Sequence, residues 1–174
     1  MTRIFIIGGA GSGKTTLGRR ISRHFDIPFY EMDLVGWENG SGPERSHETR
    51  LHDVHEIALQ LDWVAEGWHR PWTSELLRVA DQIVWLDLPW SIARQRIIIR
   101  HLRASLAGTN KHRGMLKLYR FLRDVKLFYT GKEPGQNTRL EAAKDLQPYL
   151  SKVVHCRRPA DVDAFLAWIS GTTQ

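Results

Sequence analysis

Residues 8 to 15 read Gly8-Gly9-Ala10-Gly11-Ser12-Gly13-Lys14-Thr15, directly after the apolar run "IFII", and match G-x-x-x-x-G-K-[ST] at every fixed position. The glycines let the backbone coil so that successive N–H groups point inward at phosphate oxygens, and the helix that starts near Lys14 adds its positive dipole end. Gly8, Gly11, Ser12, Gly13, Lys14, Thr15 and Thr16 are therefore the candidate nucleotide-binding residues. Lys14 is expected to reach the β- and γ-phosphates, and the Thr15 hydroxyl suits Mg²⁺, which prefers oxygen donors. Leu17, Ile21 and Phe25 form an i, i+4, i+8 apolar face on the helix that follows. The dinucleotide fingerprint G-x-G-x-x-G fails, because a match starting at Gly9 needs glycine where Lys14 stands.

Short apolar runs predict strands at 3 to 7, 28 to 32, 62 to 66, 82 to 87 and 152 to 156. Helical patterns separate them at 14 to 25, 46 to 60, 90 to 106, 115 to 129, 138 to 149 and 160 to 170. In the second of these, Leu51, Val54, Ala58 and Leu61 form the expected apolar stripe. Pro89 and Pro159 stand where a first helical residue should. Alternating strand and helix means an α/β fold with a parallel sheet. The polar stretches 33 to 45 and 107 to 114 are expected to be mobile surface loops.

A chain of 174 residues with 42% hydrophobic content fits one compact domain over 1 to 174. The N-terminal apolar run breaks at glycine with no small-residue cleavage site behind it, so it is expected to be a strand and not a signal peptide. No stretch approaches the roughly 20 apolar residues that cross a bilayer. A single cysteine, Cys156, forms no internal disulfide, which together with the missing signal and span fits a reducing cytoplasm.

Ligands of parallel α/β sheets bind beyond the carboxyl ends of the strands. The residues there are the phosphate loop, Glu31-Met32-Asp33, Glu66-Gly67-Trp68-His69-Arg70, Asp87-Leu88-Pro89 and Arg157-Arg158-Pro159. The stretch "EGWHRPW" reads poorly as core, and its place at a ligand-facing edge is the expected explanation. Trp68 and Trp72 are expected to cover a flat or apolar group, and Arg70 to hold an anion. Of the remaining tryptophans, Trp63, Trp85 and Trp168 are expected in the core and Trp37 near the cleft.

The net charge of +6 is unevenly placed: between Trp90 and Lys126 stand ten Lys or Arg against one acid, Asp124. Arg96, Arg100 and Arg103 lie at i, i+4, i+7 on one helix face, and Arg113 follows in the next loop. Arg120 and Arg123 are held as reserves.

Taken together, these segments resemble the adenylate kinase-like branch of the P-loop small-molecule kinases, most closely the bacterial proteins described as DNA topology modulation or putative adenylate kinases. Glu66-Gly67-Trp68-His69-Arg70 is similar in spacing to the Asp-Gly-Phe-Pro-Arg segment of adenylate kinases, with Glu for Asp and the Pro moved to position 71. Asp87-Leu88-Pro89 matches their D-V-P, Arg96 and Arg100 their lid-helix arginines, and Arg158-Pro159 their Lys-Pro turn beside adenine. Asp33 falls where the shikimate kinase branch places an aspartate that contacts the acceptor hydroxyl. The resemblance implies a three-layer P-loop NTPase fold, with a five-stranded parallel sheet in the order 2-3-1-4-5 and helices on both faces. The chain departs from true adenylate kinases in two respects. The segment that binds a nucleoside monophosphate is not recognisable, and the lid, about 103 to 115, is much too short.

Phosphoryl transfer moves a charged group through a loose transition state, so a protein contributes mainly positioning and cations. The expected catalytic residues are Lys14, Asp33, Glu66, Arg96, Arg100 and Arg113. Arg96, Arg158 and Pro159 join the phosphate loop around ATP, and Asp33, Trp37, Gly67, Trp68 and Arg70 face the acceptor, within a segment of about 33 to 60. Thr15, and Glu66 through water, are the expected Mg²⁺ partners. The expected partner is a small phosphoryl acceptor: a nucleotide, a nucleoside or a hydroxylated metabolite. The alternative is an ATP-binding regulatory module whose basic segment contacts nucleic acid, a reading that no recognition motif supports. Asp33-Leu34-Val35-Gly36 spells D-x-x-G but follows the second strand, not the third, and Asn110-Lys111-His112-Arg113 lacks the aspartate of a guanine site. His47 and His52 stand about 140° apart on a helix at roughly 100° per residue, so with His55 they are expected on its surface and hold no metal.

Overall fold

The computed structural model describes residues 2–69, 71–110, 114–131 and 137–171. Ile4, Phe5, Ile6 and Ile7 form an unbroken buried apolar run within strand β1 (Arg3–Gly8), so both faces of this strand need cover, which only a central position in a sheet provides. The pleat sorts them: Phe5 and Ile7 enter one core and Ile4 and Ile6 the other. The remaining strands are β2 (Phe29–Glu31), β3 (Trp63–Glu66), β4 (Gln82–Leu86) and β5 (Val153–Cys156). They form one sheet in the order β2-β3-β1-β4-β5, every neighbour parallel. This is the predicted α/β architecture and strand order.

Helix α1 (Lys14–Phe25) begins where Gly13 takes φ 103, and covers one face with Leu17 and Ile21. It approaches β2 so closely that a Cβ on Gly18 would lie 2.3 Å from the Phe29 ring. Helix α8 (Pro159–Gly171) covers the same face with Phe165 and Ile169. On the other face lie α2 (Met32–Gly36), α3 (His47–Leu59), α4 (Ser74–Val79) and α7 (Arg139–Leu146), closing over Trp63, Ala65, Ile83 and Trp85. Local signals start two of these helices: Ser46 Oγ accepts from Thr49 N–H at 3.1 Å, and Thr138 Oγ1 accepts from Glu141 N–H at 3.3 Å. Helices α5 (Trp90–Leu106) and α6 (Met115–Thr130) pack on each other beyond the carboxyl edge.

Five expectations change. The polar stretch 33 to 45 carries α2 and a 3₁₀ turn at Glu38–Gly40, tied by a bridge between Trp37 and Glu44. Its Gly36 lies under Trp72, where a Cβ would sit 3.0 Å from the ring. Helix α4 stands in the sequence between "WHRPW" and β4, where the apolar pattern is too short to announce it. The predicted 138–149 helix ends at Leu146 and tightens into a 3₁₀ segment, Gln147–Lys152, at Pro148. The buried stripe of α3 is Val54, Ile57 and Ala58, whereas Leu51 and Leu61 are exposed. Trp168 is exposed on α8 instead of buried, while Trp68 and Trp72, expected to face the cleft, are core residues at 7% and 3% exposure.

Candidate active site

Parallel register brings five strand ends to one edge. Ile6 pairs with Glu66, Glu31 with Glu66, Gly8 with Leu86 and Leu86 with Cys156. The phosphate loop leaves this edge from the central strand, with Gly8, Gly11 and Gly13 all at positive φ. Two of them also have no room for a side chain: a Cβ on Gly8 would meet the Leu86 carbonyl at 2.6 Å, and one on Gly11 the Ala93 carbonyl at 2.7 Å.

Glu66 ends β3, nearly buried, and faces this loop. The Thr15 hydroxyl donates to its Oε1 at 2.5 Å, and Lys14 Nζ lies 3.8 Å from its Oε2 and 3.4 Å from the Gly9 carbonyl. Burial pushes the Glu66 carboxyl above its ordinary value, while Lys14 and the Thr15 hydroxyl pull it back. Lys14, Thr15 and Glu66 thus form one polar cluster.

Arg96 reaches the loop from α5, its Nη1 donating to the Ser12 carbonyl at 2.7 Å. Around this bond is a cavity of about 340 Å³, lined by Ser12, Gly13, Thr16, Arg96 and Pro159 among others. Five residues assigned to ATP from widely separated places in the sequence therefore share one cavity. Arg100 and Arg103 line a second depression further along α5 with Arg96. Arg158 does not join them: it is 78% exposed and pairs with Asp161, whose Oδ2 also accepts the Arg157 and Arg158 N–H groups to cap α8. That aspartate takes the arginine that the Lys-Pro comparison placed beside adenine. Arg70 and Arg113, assigned to the acceptor and the lid, lie outside the described residues.

The nucleotide fits this loop on two observations. The Ser12 Oγ is buried without a hydrogen-bond partner among the described residues, and the loop glycines keep the cradle open. Lys14, Thr15 and Glu66 offer the cation and oxygen donors that a magnesium nucleotide requires. Among the described residues there is no cluster of His, Cys, Asp and Glu able to hold a metal by itself, and His55 pairs with Glu75 on the surface.

Of the predicted acceptor residues, Asp33 is exposed on α2, with Oδ1 2.9 Å from His69 Nε2. That contact holds its carboxyl below the ordinary range, against a partial burial cost, and the charge of Lys14 adds to the effect. Gly67 turns the chain at φ 108, and Trp37 meets the His69 ring edge-on. Trp68, by contrast, is part of the core, and the depression it lines is shared with Leu77, Asp145 and Tyr149 and not with the phosphate loop. Glu31 is paired with Arg19 at 2.6 Å.

Three features were not foreseen. His69 is the partner of Asp33. Tyr129 of α6 donates its hydroxyl to the Ala10 carbonyl at 3.0 Å, and burial raises its pKa to about 12, so it stays a donor. A Cβ on Gly9 would meet that ring and Phe128 at 2.6 Å, which gives this variable position of the motif its glycine. Asp87, with a side chain 2% exposed, is held by Arg139 at 2.5 Å and His155 at 2.8 Å. The motif strings carry no signal for partners over 100 or 50 residues away.

No family model matches the chain. A shikimate kinase of Bacteroides fragilis is 52% identical over 33 residues, which is 19% of this chain and 18% of that protein. One from Ralstonia nicotianae is 42% identical over a segment of the same length, 17% of its own chain. The crystal structure of shikimate kinase from Bacteroides thetaiotaomicron superposes with a TM-score of 0.50 at 18% identity, covering 98% of this chain and 97% of that one. An uncharacterized protein from Eubacterium ventriosum gives 0.52 at 13% identity over the full length of both chains. The five-stranded sheet in the order 2-3-1-4-5, the phosphate loop on its central strand and these neighbours give the chain the fold of the P-loop small-molecule kinases.

Proposed function

We propose that this protein is an ATP-dependent kinase that transfers the γ-phosphoryl group to a small acceptor. The observation that carries the reading is the joining of Lys14, Thr15 and Glu66 at the end of β3 while Arg96 grips the same loop from α5. Mg·ATP, when bound, supplies the phosphoryl group and the metal charge. The loop N–H groups and Lys14 neutralise phosphate oxygens, Thr15 offers an oxygen to the cation, and Glu66 orients the cation's water. Arg96, with Arg100 and Arg113, adds positive charge where charge spreads in the transition state. Pro159 and Arg96 flank the cavity that takes the base or ribose. Asp33 accepts the proton of the acceptor hydroxyl as the acceptor oxygen bonds to the γ-phosphorus and the bond to ADP breaks. Residues 33 to 60 form the acceptor side and 103 to 115 a short lid. The whole chain works as one domain in the cytoplasm; no helix among the described residues is long and apolar enough to cross a membrane.

A second reading rests on the exposure of Arg94, Arg100, Arg103, Lys117, Arg120, Arg123 and Lys126 along α5 and α6, which suits a polyanion such as nucleic acid. ADP release from Mg·ATP across shikimate, gluconate, adenosine and AMP, with Lys14→Ala as the blank, separates the two. Saturable stimulation by one acceptor supports the kinase. Slow hydrolysis indifferent to all four, with salt-sensitive binding of DNA, supports the second reading.

A further inference from the structure

Asp33 carries a partner that phosphate binding does not require. Its side chain is 66% exposed, yet His69 Nε2 stands 2.9 Å from Oδ1, and the imidazole is fixed from several sides. His69 N–H donates to Thr73 Oγ1 at 3.0 Å, and the Thr73 amide donates back to the His69 carbonyl at 3.1 Å. The ring stacks on Trp72 at 5.3 Å with 4° between planes, and Trp37 meets it edge-on at 5.0 Å. Trp72 is itself buried, with the Arg50 guanidinium 5.6 Å from its ring centre. An exposed carboxylate is thereby tied to an imidazole immobilised on the core.

Stability does not account for this arrangement, since an exposed pair contributes about 0–1 kcal/mol at best. Precision does, because a reacting group must be held within a fraction of an ångström of its productive place. Building on the kinase reading, we propose that His69 is a positioning residue that fixes Asp33 as the hydrogen-bond acceptor for an alcohol group of the substrate. A carboxylate only accepts, so Nε2 carries the proton and the tautomer is set by Asp33. The acceptor class follows from the chemistry of the pair: a carboxylate only accepts, and the group that donates to it is a hydroxyl.

The test uses the full-length protein with Mg·ATP and, as probes, shikimate, gluconate, adenosine and AMP. His69→Leu removes the donor, and His69→Gln places an amide N–H at similar reach. Expected for an alcohol probe is a fall in kcat of about 10–100-fold for His69→Leu, an unchanged KM for Mg·ATP, and recovery of most of the loss in His69→Gln. In parallel, ¹³C NMR of the Asp33 carboxyl without nucleotide should show its titration moving up in His69→Leu, and the variant's melting point verifies that it is folded. Wild-type turnover in His69→Leu, equal losses in both variants, phosphorylation of AMP alone, or an unmoved Asp33 titration each overturns the proposal. Full turnover in Asp33→Asn also overturns the proposal while leaving the kinase reading in place; if no probe is phosphorylated by the wild type, it is the kinase reading that fails, and the proposal with it.

Discussion

Thr15 and Glu66 meet between the phosphate loop and the end of β3, the hydroxyl donating to the carboxylate at 2.5 Å, although 51 residues separate them in the chain. The contact places an acid whose charged form is disfavoured by burial beside a residue suited to a metal.

Replacing Glu66 by Gln keeps an acceptor for Thr15 and removes the charge. Turnover is expected to fall about 10²–10³-fold, as when one preorganised transition-state contact is lost. The variant should also change how stability depends on pH. An acid whose folded pKa is raised is stabilising below its ordinary value, 4.5, and progressively less so as pH rises through the folded value. The melting point of Glu66→Gln relative to wild type should therefore rise between pH 4 and pH 7, at about 2–4 °C per kcal/mol for a chain of this size. Parallel melting curves across pH check this.

Arg96→Ala releases the Ser12 carbonyl and removes a cation from the cavity that holds Pro159 and Thr16. A fall in kcat of about 10²–10³-fold with the melting point within a few degrees of wild type is expected. Steady-state kinetics and calorimetry on the same preparation check it.

Arg139→Ala should destabilise the fold by about 1.5–3 kcal/mol, because it removes a charged hydrogen bond from an Asp87 side chain that is 2% exposed, although Arg139 itself is half exposed and His155 remains. The double variant Asp87→Asn/Arg139→Ala should recover part of this. Urea unfolding of the three proteins gives the cycle.

Trp72→Ala opens a cavity in the core under α2 and removes the platform for His69; a loss of about 3–5 kcal/mol is expected. Denaturant unfolding measures it directly.

Much of this molecule was readable in the chain because its signals are local. The phosphate loop announces itself through glycine spacing, and the strands through apolar runs, so the five strand ends followed, whereas the order of the strands in the sheet came only with the resemblance to the P-loop kinases. The misreadings share a physical cause. Trp68 and Trp72 lie in a stretch whose polar neighbours disguise them, and only the closure of α2 and α4 over the sheet shows that both are core. Trp168 sits in an apolar helix that meets the sheet with Phe165 and Ile169 instead. His69 with Asp33, Tyr129 with Ala10 and Arg139 with Asp87 are side-chain pairings between distant segments, and neither periodicity nor capping encodes such partners. Arg158 was assigned by likeness, while Asp161, three residues on, decides where it points.

The central claim, transfer and not hydrolysis, is tested most directly by ³¹P NMR of reaction mixtures holding Mg·ATP and shikimate, gluconate, adenosine or AMP. The account predicts a new phosphate monoester resonance with one of the alcohols, growing in step with ADP and absent with Lys14→Ala. Inorganic phosphate as the sole phosphorus product beside ADP, at a rate that no acceptor alters, would contradict it.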